Sequence, residues 1–476
     1  MLMRVGGAGA GTDENKWIPV INPATGDEID RVPAGTKDDL ERAVTAADTA
    51  FSSWKRKTQR ERGMVLFRAA GIVRERHKDL ARLLTTEQGK PLKESIDEIR
   101  GFANILEFYA GISAAQKGEL VRLGATGDAI ITREPMGICA AIIPWNMPAL
   151  IMGWKIGPAL LAGNTLLLKP ASTAPLTALR LTEILDEAGL PPGTLNTVTG
   201  VGETIGEAMA GHPAIKKLSF TGSCATGQRI RELAAGSLKE LTLELGGSDP
   251  MIVMPDADID KAVDGAIRGR FYNAGQTCTA VKRLFVHESI AAEFSRRLKQ
   301  KTESLKLGNG LDAGTDMGPL NSAIQRERIE KLIDRVRDTG QGTVLTGGTR
   351  PGGAEYSQGF FYRPTVVSDV EKTSGLMTGE VFGPVLPVMP VPDLDAAITE
   401  ANRTAYGLGA SIWTSSLPAV KRAFDEIHAG IIWVNRHLTI PPEIPFGGMN
   451  ESGFGRENGL HALDNYSRTK TLLLGW

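Results

Sequence analysis

Residues 137–170 read GICAAIIPWNMPALIMGWKIGPALLAGNTLLLKP, and this stretch predicts the fold of the first half of the chain. An apolar run at 137–143 stops at Pro144, a helical pattern follows to 161, and a second apolar run occupies 165–168. Short apolar runs that alternate with helices are typical of parallel sheets, whose strands are buried on both faces. We therefore predict strand, helix and strand in this order.

The same alternation extends along the chain on both sides of this stretch. Two α/β blocks are expected, one up to about 246 and one from about 248 to 430. Predicted strands lie at 195–198, 217–220, 241–245, 252–253 and 283–286. Predicted helices lie at 38–54, 60–86, 92–117, 175–188, 227–235, 258–271 and 290–306, and a short one begins at 203. Residues 1–15 are expected to be flexible, and 466–474 is a predicted short strand of the kind that docks elsewhere, often on a partner subunit.

Composition excludes several classes of protein. The 476 residues carry 54 basic and 55 acidic side chains, so neither nucleic acid nor an anionic membrane is an expected partner. No apolar stretch reaches the ~20 residues of a membrane span, and no signal peptide is expected. Three cysteines without CxxC spacing indicate a reduced, cytoplasmic protein. The six histidines show no metal-ligand spacing, and we predict no metal.

Cys278 is the candidate nucleophile. It lies among small and hydroxylated residues in FYNAGQTCT (271–279), whereas Cys139 lies in an apolar run and is predicted to be a core thiol. Glu244 ends a predicted apolar strand and could serve as a base. A buried carboxylate satisfied by backbone N–H groups explains Glu244 equally well. Asn146, in a stiff turn, could donate to an oxyanion or could cap that turn.

Glycine-rich segments offer candidate phosphate sites. Gly202 belongs to GVGETIG (200–206), a near match to a dinucleotide motif that an ordinary turn explains as well. Gly222 and Ser223 follow a predicted strand and precede a helix, so that their N–H and hydroxyl groups could meet a phosphate. Lys169 ends a strand and could reach a ribose, although an ordinary exposed lysine is the simpler interpretation.

In their order, these segments resemble the NAD(P)-dependent aldehyde dehydrogenase superfamily. The resemblance covers nearly the whole chain through seven motifs: PWNMP (144–148), KP (169–170), FTGS (220–223), ELGG (244–247), GQTC (275–278), EVFGP (380–384) and PFGG (445–448). It implies an α/β fold with two doubly wound parallel-sheet domains and a β oligomerisation arm. The implied ranges are 1–118 and 138–246 for the NAD(P)-binding domain, 247–435 for the catalytic domain, 119–137 and 460–476 for the arm, and 436–459 for a substrate-pocket loop.

The resemblance also implies a mechanism. Cys278 would attack an aldehyde and carry a thiohemiacetal and then a thioester, while Asn146 and the Cys278 N–H would form the oxyanion hole. Glu244 would be the general base, and Lys155 with Glu457 would relay protons.

The resemblance further implies a coenzyme site. The coenzyme residues it implies are Pro144, Trp145, Lys169, Ser172, Gly202, Phe220, Gly222, Ser223, Glu380 and Phe382. NAD-preferring relatives carry glutamate at the position of Ser172. Because serine would not repel a 2′-phosphate, we predict that NADP is accepted or even preferred.

The expected substrate is an aromatic or apolar aldehyde. The implied pocket consists of Met147, Trp154, Tyr272, Thr277, Thr279, His437 and Ile440. Succinate-semialdehyde dehydrogenases carry arginines where Trp154 and Tyr272 stand, although Arg436 could still hold an acidic substrate. A semialdehyde dehydrogenase, a CoA-acylating reductase and a catalytically idle binding protein remain alternatives. A homodimer or homotetramer is expected.

Overall fold

A computed structural model describes residues 1–11, 16–114 and 117–475. The strands among these residues are β1 (Met3–Val5), β2 (Ala8–Ala10), β3 (Trp17–Ile21), β4 (Glu28–Pro33), β5 (Glu119–Arg122), β6 (Asp128–Pro135), β7 (Ile138–Ile142), β8 (Thr165–Lys169), β9 (Leu195–Thr197), β10 (Ile215–Thr221), β11 (Glu240–Glu244), β12 (Asp249–Val253), β13 (Val281–His287), β14 (Thr343–Thr346), β15 (Thr365–Ser368), β16 (Val385–Val391), β17 (Gly409–Trp413), β18 (Ile431–Val434), β19 (Gly453–Phe454) and β20 (Ser467–Leu474).

The α-helices of the same residues surround these strands. They are α1 (Lys37–Trp54), α2 (Gln59–Glu75), α3 (His77–Gln88), α4 (Leu92–Gly111), α5 (Pro148–Ala162), α6 (Leu176–Glu187), α7 (Glu207–Gly211), α8 (Cys224–Ala234), α9 (Ile259–Phe271), α10 (Glu288–Glu303), α11 (Ala323–Thr339), α12 (Gly375–Thr378), α13 (Leu394–Asn402) and α14 (Leu417–Glu426).

The first sheet has the order β19-β11-β10-β7-β8-β9-β1-β2, and its five central strands are parallel. Alternate residues of β7 face opposite cores: Cys139 packs into one apolar cluster and Ile138 into the other. This confirms that Cys139 is a core thiol and explains why β7 is apolar throughout. From β7 the chain proceeds to β8 and β9 on one side, then returns to β10 on the other side. A crevice for a ligand is expected where the strand order reverses in this way.

The second sheet has the order β14-β15-β16-β13-β12-β17-β18 and is parallel except at β14. Together the two sheets confirm the predicted α/β class. The loop of residues 272–280 leads into β13, and the side chains of this loop lie between the two sheets.

The third sheet, β20-β6-β5, is antiparallel. The C-terminal strand β20 pairs with β6 along eight residues, so the predicted tail strand docks within its own chain. Large apolar side chains of this sheet face solvent, among them Leu120, Leu472 and Leu473.

Three local expectations were wrong. The helix predicted at 60–86 is two helices, because the backbone of Arg76 leaves helical geometry (φ −97°, ψ 11°). The helix predicted to reach 117 ends at Gly111, and residues 115–116 lie outside the described ones. Residues 1–11, expected to be flexible, form a hairpin that pairs with β9, while residues 12–15 of the same prediction lie outside the described ones. No described helix is long and apolar enough to cross a membrane.

Candidate active site

Two loops meet between the sheets. The first follows β7 and carries Asn146; the second precedes β13 and carries Cys278. The Asn146 side-chain amide donates to the Gln276 carbonyl at 2.9 Å, and the Asn273 amide donates to the Asn146 carbonyl at 2.9 Å. These bonds fix the amide predicted for the oxyanion hole next to the segment that carries the predicted nucleophile.

The nucleophile loop makes a left-handed turn. Asn273, Ala274 and Gly275 have φ values of 51°, 52° and 73° in succession. A Cβ at Gly275 would lie 2.3 Å from the Gly383 carbonyl, so only glycine fits there. Left-handed backbone at a residue such as Ala274 costs about 1–3 kcal/mol and persists only where the surroundings impose it.

Side chains from α3 and α4 impose this turn. The Glu94 carboxylate accepts the Asn273 backbone N–H at 2.8 Å, and the Gln88 amide donates to the Asn273 side chain at 3.0 Å. Burial raises the pKa of Glu94 to about 8. The sequence pattern did not indicate these roles, because polar residues in a helix usually face solvent.

A fully buried ion pair supports the other loop. Lys90 Nζ lies 2.5 Å from Glu98 Oε2 and donates to the Asn146 carbonyl at 2.6 Å. Glu98 also accepts the N–H groups of Ala149 and Leu150 at the start of α5. The position of Asn146 is therefore set from both sides.

Cys278 lies between two cavities. The first, the apolar cavity, has a volume of about 280 Å³. It is lined by Asp97, Glu98, Met147, Leu150, Ile151, Trp154, Arg268, Tyr272, Thr277, Cys278, Thr279, Leu438 and Ile440. The second, the glycine cleft, has a volume of about 160 Å³. It is lined by Pro144, Trp145, Asn146, Ile151, Thr221, Gly222, Ser223, Leu245, Gly246, Cys278, Gln325, Arg328, Glu380 and Phe382.

Six of the seven predicted pocket residues line the apolar cavity. His437 does not: it is buried behind the wall, its Nε2 is 2.7 Å from the Thr279 carbonyl, and Leu438 takes the wall position. Arg436 is exposed outside the cavity lining, and the arginine at the cavity is Arg268. Sequence reasoning missed Leu150 and Ile151, although their spacing from Met147 and Trp154 places all four near one helix face.

The glycine cleft occupies the strand-order reversal of the first sheet, after β7 and β10. Six of the ten predicted coenzyme residues line it, and Phe220, Lys169, Ser172 and Gly202 do not. Phe220 lies beneath Gly222, where a Cβ would come within 2.4 Å of its ring.

The polar groups of the predicted phosphate loop make hydrogen bonds within the chain. The Gly222 N–H already donates to the Glu244 carbonyl at 3.1 Å, and the Ser223 hydroxyl accepts the Thr226 N–H as the N-cap of α8. The Gly222 N–H is therefore engaged in this conformation, whereas the Ser223 hydroxyl, which accepts here, still has its own O–H to donate. The Thr221 hydroxyl is buried and has no hydrogen-bond partner among the described residues.

Lys169, Ser172 and Gly202 lie away from this cleft. Lys169 is buried, contrary to the simpler interpretation of an exposed lysine, and burial lowers its pKa to about 8. Its ammonium donates to the Pro170 carbonyl at 3.1 Å. The Ser172 hydroxyl donates to the Gly200 carbonyl at 3.0 Å, which joins the two loops that carry Lys169 and Gly202.

Glu244 is fully enclosed and lines neither cavity. Neither of its carboxyl oxygens has a hydrogen-bond partner among the described residues, so satisfaction by N–H groups does not explain this side chain. Burial, with a contribution from Glu457, raises its pKa well above the usual range. Burial therefore favours the protonated form of Glu244 in this conformation.

A buried polar group adjoins Glu244. Lys155 Nζ pairs with Glu457 and donates to the Ser219 hydroxyl at 2.9 Å, and Ser219 in turn donates to Glu457. The positive charge of Lys155 favours ionised Glu244, whereas Glu457 opposes it. The structure thus brings together both residues predicted for proton relay.

The thiol of Cys278 is also protonated at neutral pH. Burial raises its pKa to about 12, and the charge of Lys282 acts against this shift. Because the thiolate is the nucleophilic form, the site needs a proton acceptor before Cys278 can attack a substrate.

Comparison with known proteins shows the family of this chain. Residues 10–472 match the aldehyde dehydrogenase family. The chain is 43% identical to phenylacetaldehyde dehydrogenase from Pseudomonas fluorescens, over 100% of this chain and 96% of that protein. It is 42% identical to betaine aldehyde dehydrogenase from Rhizobium etli (strain CIAT 652), over 96% and 94%.

A solved structure has the same fold. Betaine aldehyde dehydrogenase from Staphylococcus aureus in complex with NAD+ matches with a TM-score of 0.97 and 36% identity, over 99% of this chain and 94% of that one. The chain therefore belongs to the aldehyde dehydrogenase family, as the ordered motifs predicted.

Proposed function

We propose that the protein oxidises an aldehyde to the carboxylic acid with NAD+ or NADP+ as acceptor, through Cys278. The observation that carries this proposal is the place of Cys278 in the walls of both the apolar cavity and the glycine cleft. A carbon bonded to Cys278 from the first cavity can face an acceptor in the second. When bound, the nicotinamide coenzyme supplies the acceptor for hydride.

The residues of the chain perform the remaining steps. Cys278 Sγ bonds to the carbonyl carbon, and the oxyanion that forms accepts hydrogen bonds from the Asn146 amide and the Cys278 N–H. A side-chain amide has two N–H donors, so Asn146 can keep its bond to Gln276 while it binds the oxyanion. Loss of hydride converts the thiohemiacetal to a thioester. Water then attacks, the carbon–sulfur bond breaks, and the acid leaves.

Glu244 is the proposed base for the thiol proton and for the attacking water. It must first lose its own proton, which Lys155 favours through its charge. The Lys155–Glu457 pair is the proposed route for that proton, because it is buried beside Glu244.

The residues that would hold the coenzyme fit a dinucleotide. The glycine cleft lies at the strand-order reversal, where nucleotides bind in such sheets. Its floor is glycine backbone: a Cβ at Gly246 would lie 2.2 Å from Glu380 Oε2. Lys169 and Ser172 would contact the ribose further along, and Ser172 supports acceptance of NADP. Glu380 and Phe382 would hold the nicotinamide end.

An aromatic or apolar aldehyde is the proposed substrate. Met147, Trp154, Tyr272 and Ile440 make the cavity wall apolar, and the one carboxylate buried in that wall, Glu98, is neutralised by its ion pair. Among the described residues buried in this wall, none thus offers an unpaired positive charge for a distal carboxylate. The buried Thr277 hydroxyl has no partner among the described residues and is available to a substrate.

A semialdehyde is the second candidate, because Arg268 lines the cavity and could bind a carboxylate. The exposed Asp97 lines the same cavity and opposes that interaction by its charge. A CoA-acylating reductase is less well supported, since Glu244 is placed to serve hydrolysis.

We further propose that the first sheet with its helices is the coenzyme domain and the second sheet the catalytic domain, with the ranges predicted from the motifs. The exposed apolar side chains of the third sheet support its use as an oligomerisation arm in a dimer or tetramer.

The test is a panel of phenylacetaldehyde, betaine aldehyde and succinic semialdehyde, each with NAD+ and with NADP+. We expect the highest kcat/KM with phenylacetaldehyde, formation of the free acid without CoA, and loss of turnover in Cys278→Ser. Cys224→Ser is the matched control and should retain turnover. Near-normal turnover in Cys278→Ser contradicts the mechanism, and a preference for succinic semialdehyde contradicts the substrate class.

A further inference from the structure

Lys282 is a buried lysine directly behind the nucleophile. It is the second residue of β13, and its side chain is fully buried. Its ammonium donates to the Cys278 carbonyl and, at 3.1 Å, to the Thr277 carbonyl. Both acceptors belong to the nucleophile loop.

The partners of Lys282 differ from those of the other buried lysines near the site. Lys90 and Lys155 each have a carboxylate oxygen within ion-pair hydrogen-bonding distance. Two carboxyl groups face Lys282: Glu380, whose Oε1 is 3.5 Å away and which lines the glycine cleft, and the buried Asp249, on whose pKa the charge of Lys282 acts against the effect of burial. A buried ammonium is costly to desolvate unless its charge is compensated, so its retention at this place needs a reason.

We propose that Lys282 is a positioning residue that fixes the carbonyls of the nucleophile loop and supplies positive charge to the Cys278 thiol, and that Glu380 shares this charge. The inference rests on the proposed role of Cys278 as nucleophile. It predicts that thiol reactivity responds to both Lys282 and Glu380.

The charges that face Cys278 support this role. The carboxyl groups of Asp249, Glu380 and Glu244 raise the pKa of the thiol in addition to burial, and Lys282 is the group whose charge lowers it. An opposite charge within about 4–6 Å typically lowers a pKa by about 1–3 units. Loss of the negative charge at position 380 would leave the charge of Lys282 less compensated, so that Lys282 would lower the pKa of the Cys278 thiol further.

The experiment measures alkylation of Cys278 by iodoacetamide in the coenzyme-free protein from about pH 6 to about pH 10. Mass spectrometry of the Cys278 peptide gives the rate, and in the Lys282 variants the Cys224 peptide of the same sample is the internal control. Lys282→Gln keeps donor groups without charge, Lys282→Met removes both, and Lys282→Arg keeps the charge.

We expect the alkylation rate near about pH 8 to fall about 3- to 30-fold in Lys282→Gln and Lys282→Met. Without the charge of Lys282 a smaller fraction of Cys278 is thiolate, and this loss outweighs the higher nucleophilicity of each thiolate. Lys282→Arg should restore most of the rate, and the Cys224 peptide should not respond. A purely structural lysine would change the melting temperature and leave the pH profile in place. An unchanged profile in folded Lys282→Gln overturns the proposal.

Glu380→Gln gives an independent variant, which remains informative if the Lys282 variants do not fold. We expect faster alkylation in Glu380→Gln, and a smaller gain when Lys282→Gln is also present. No gain in the single variant, or strictly additive effects in the double variant, overturns the sharing of charge. Alkylation needs neither aldehyde nor coenzyme, so failure of the aldehyde panel leaves this test intact.

Discussion

Replacement of Lys90 by methionine would remove one charge from a fully buried ion pair next to the oxyanion amide. Lys90 and Glu98 are 2.5 Å apart with both side chains fully buried, and Lys90 also donates to the Asn146 carbonyl. The variant leaves the Glu98 carboxylate buried without its cation. The Asn146 carbonyl keeps one of its two hydrogen bonds, the one from Asn273, and the Asn146 side chain keeps its bond to Gln276.

The structure sets the size of the effect. Removal of one partner from a buried ion pair typically costs about 3–5 kcal/mol. Glu98 retains the N–H groups of Ala149 and Leu150, which favours the lower end, about 3 kcal/mol. For a unit of about 150–250 residues this corresponds to a fall in melting temperature of about 6–12 °C. We also expect kcat to fall more than KM rises, because Asn146 acts on the transition state.

Thermal unfolding and steady-state kinetics check this prediction, with Lys93→Met as the matched control. Lys93 lies on α4, the helix that carries Glu98, and pairs with Asp316 at 2.8 Å, but it is 59% exposed, so the melting temperature of this control should change by no more than about 2 °C. Glu98→Gln added to Lys90→Met should recover part of the loss, because the unpaired charge is gone. A Lys90→Met protein that melts like the Lys93→Met control refutes the reasoning.

Three further predictions concern the pocket, the coenzyme and pH. Tyr272→Phe should keep kcat/KM for phenylacetaldehyde within about threefold, whereas Tyr272→Ala should lower it about tenfold or more through lost apolar contact; equal values for the two variants contradict an apolar role. Ser172→Glu should raise KM for NADP+ about tenfold or more and leave KM for NAD+ nearly constant, and a parallel rise in both would show a steric effect. Burial lowers the pKa of His437 from 6.5 to about 4, so the unfolded chain binds the proton at a higher pH than the folded protein does. The free energy of unfolding therefore falls as pH drops from about 6.5 to about 4, by up to about 3 kcal/mol. His437→Gln should show a shallower fall in melting temperature between about pH 6.5 and about pH 4, and an identical slope refutes the assignment.

The amino-acid sequence was enough to predict most elements of both sheets. The apolar run at 137–143 corresponds to β7, and the run at 165–168 corresponds to β8, because buried parallel strands require apolar residues on both faces. The break at Arg76 was not predictable from periodicity, because the helical pattern continues across it. The ordered motifs predicted the family, which the comparisons confirmed.

The candidate site was only partly predictable. Met147, Trp154 and Tyr272 line the apolar cavity as expected, whereas His437 lies behind Leu438 and Arg268 takes the place expected for Arg436. The backbone conformation decides which side chains of this segment face the cavity. Leu438 adopts a left-handed φ of 61°, which no pattern of neighbouring residues indicated.

By itself, the sequence determined the alternation of strands and helices and indicated the candidate nucleophile, because both depend on residues that are close along the chain. Only the tertiary structure decided which charged groups surround Cys278. Gln88 meets Asn273 across 185 residues, and Lys90 meets Asn146 across 56. Polar residues at such separations look like ordinary surface positions in the sequence. They become buried partners only when the two sheets pack together, since a desolvated charge must find its counterpart there.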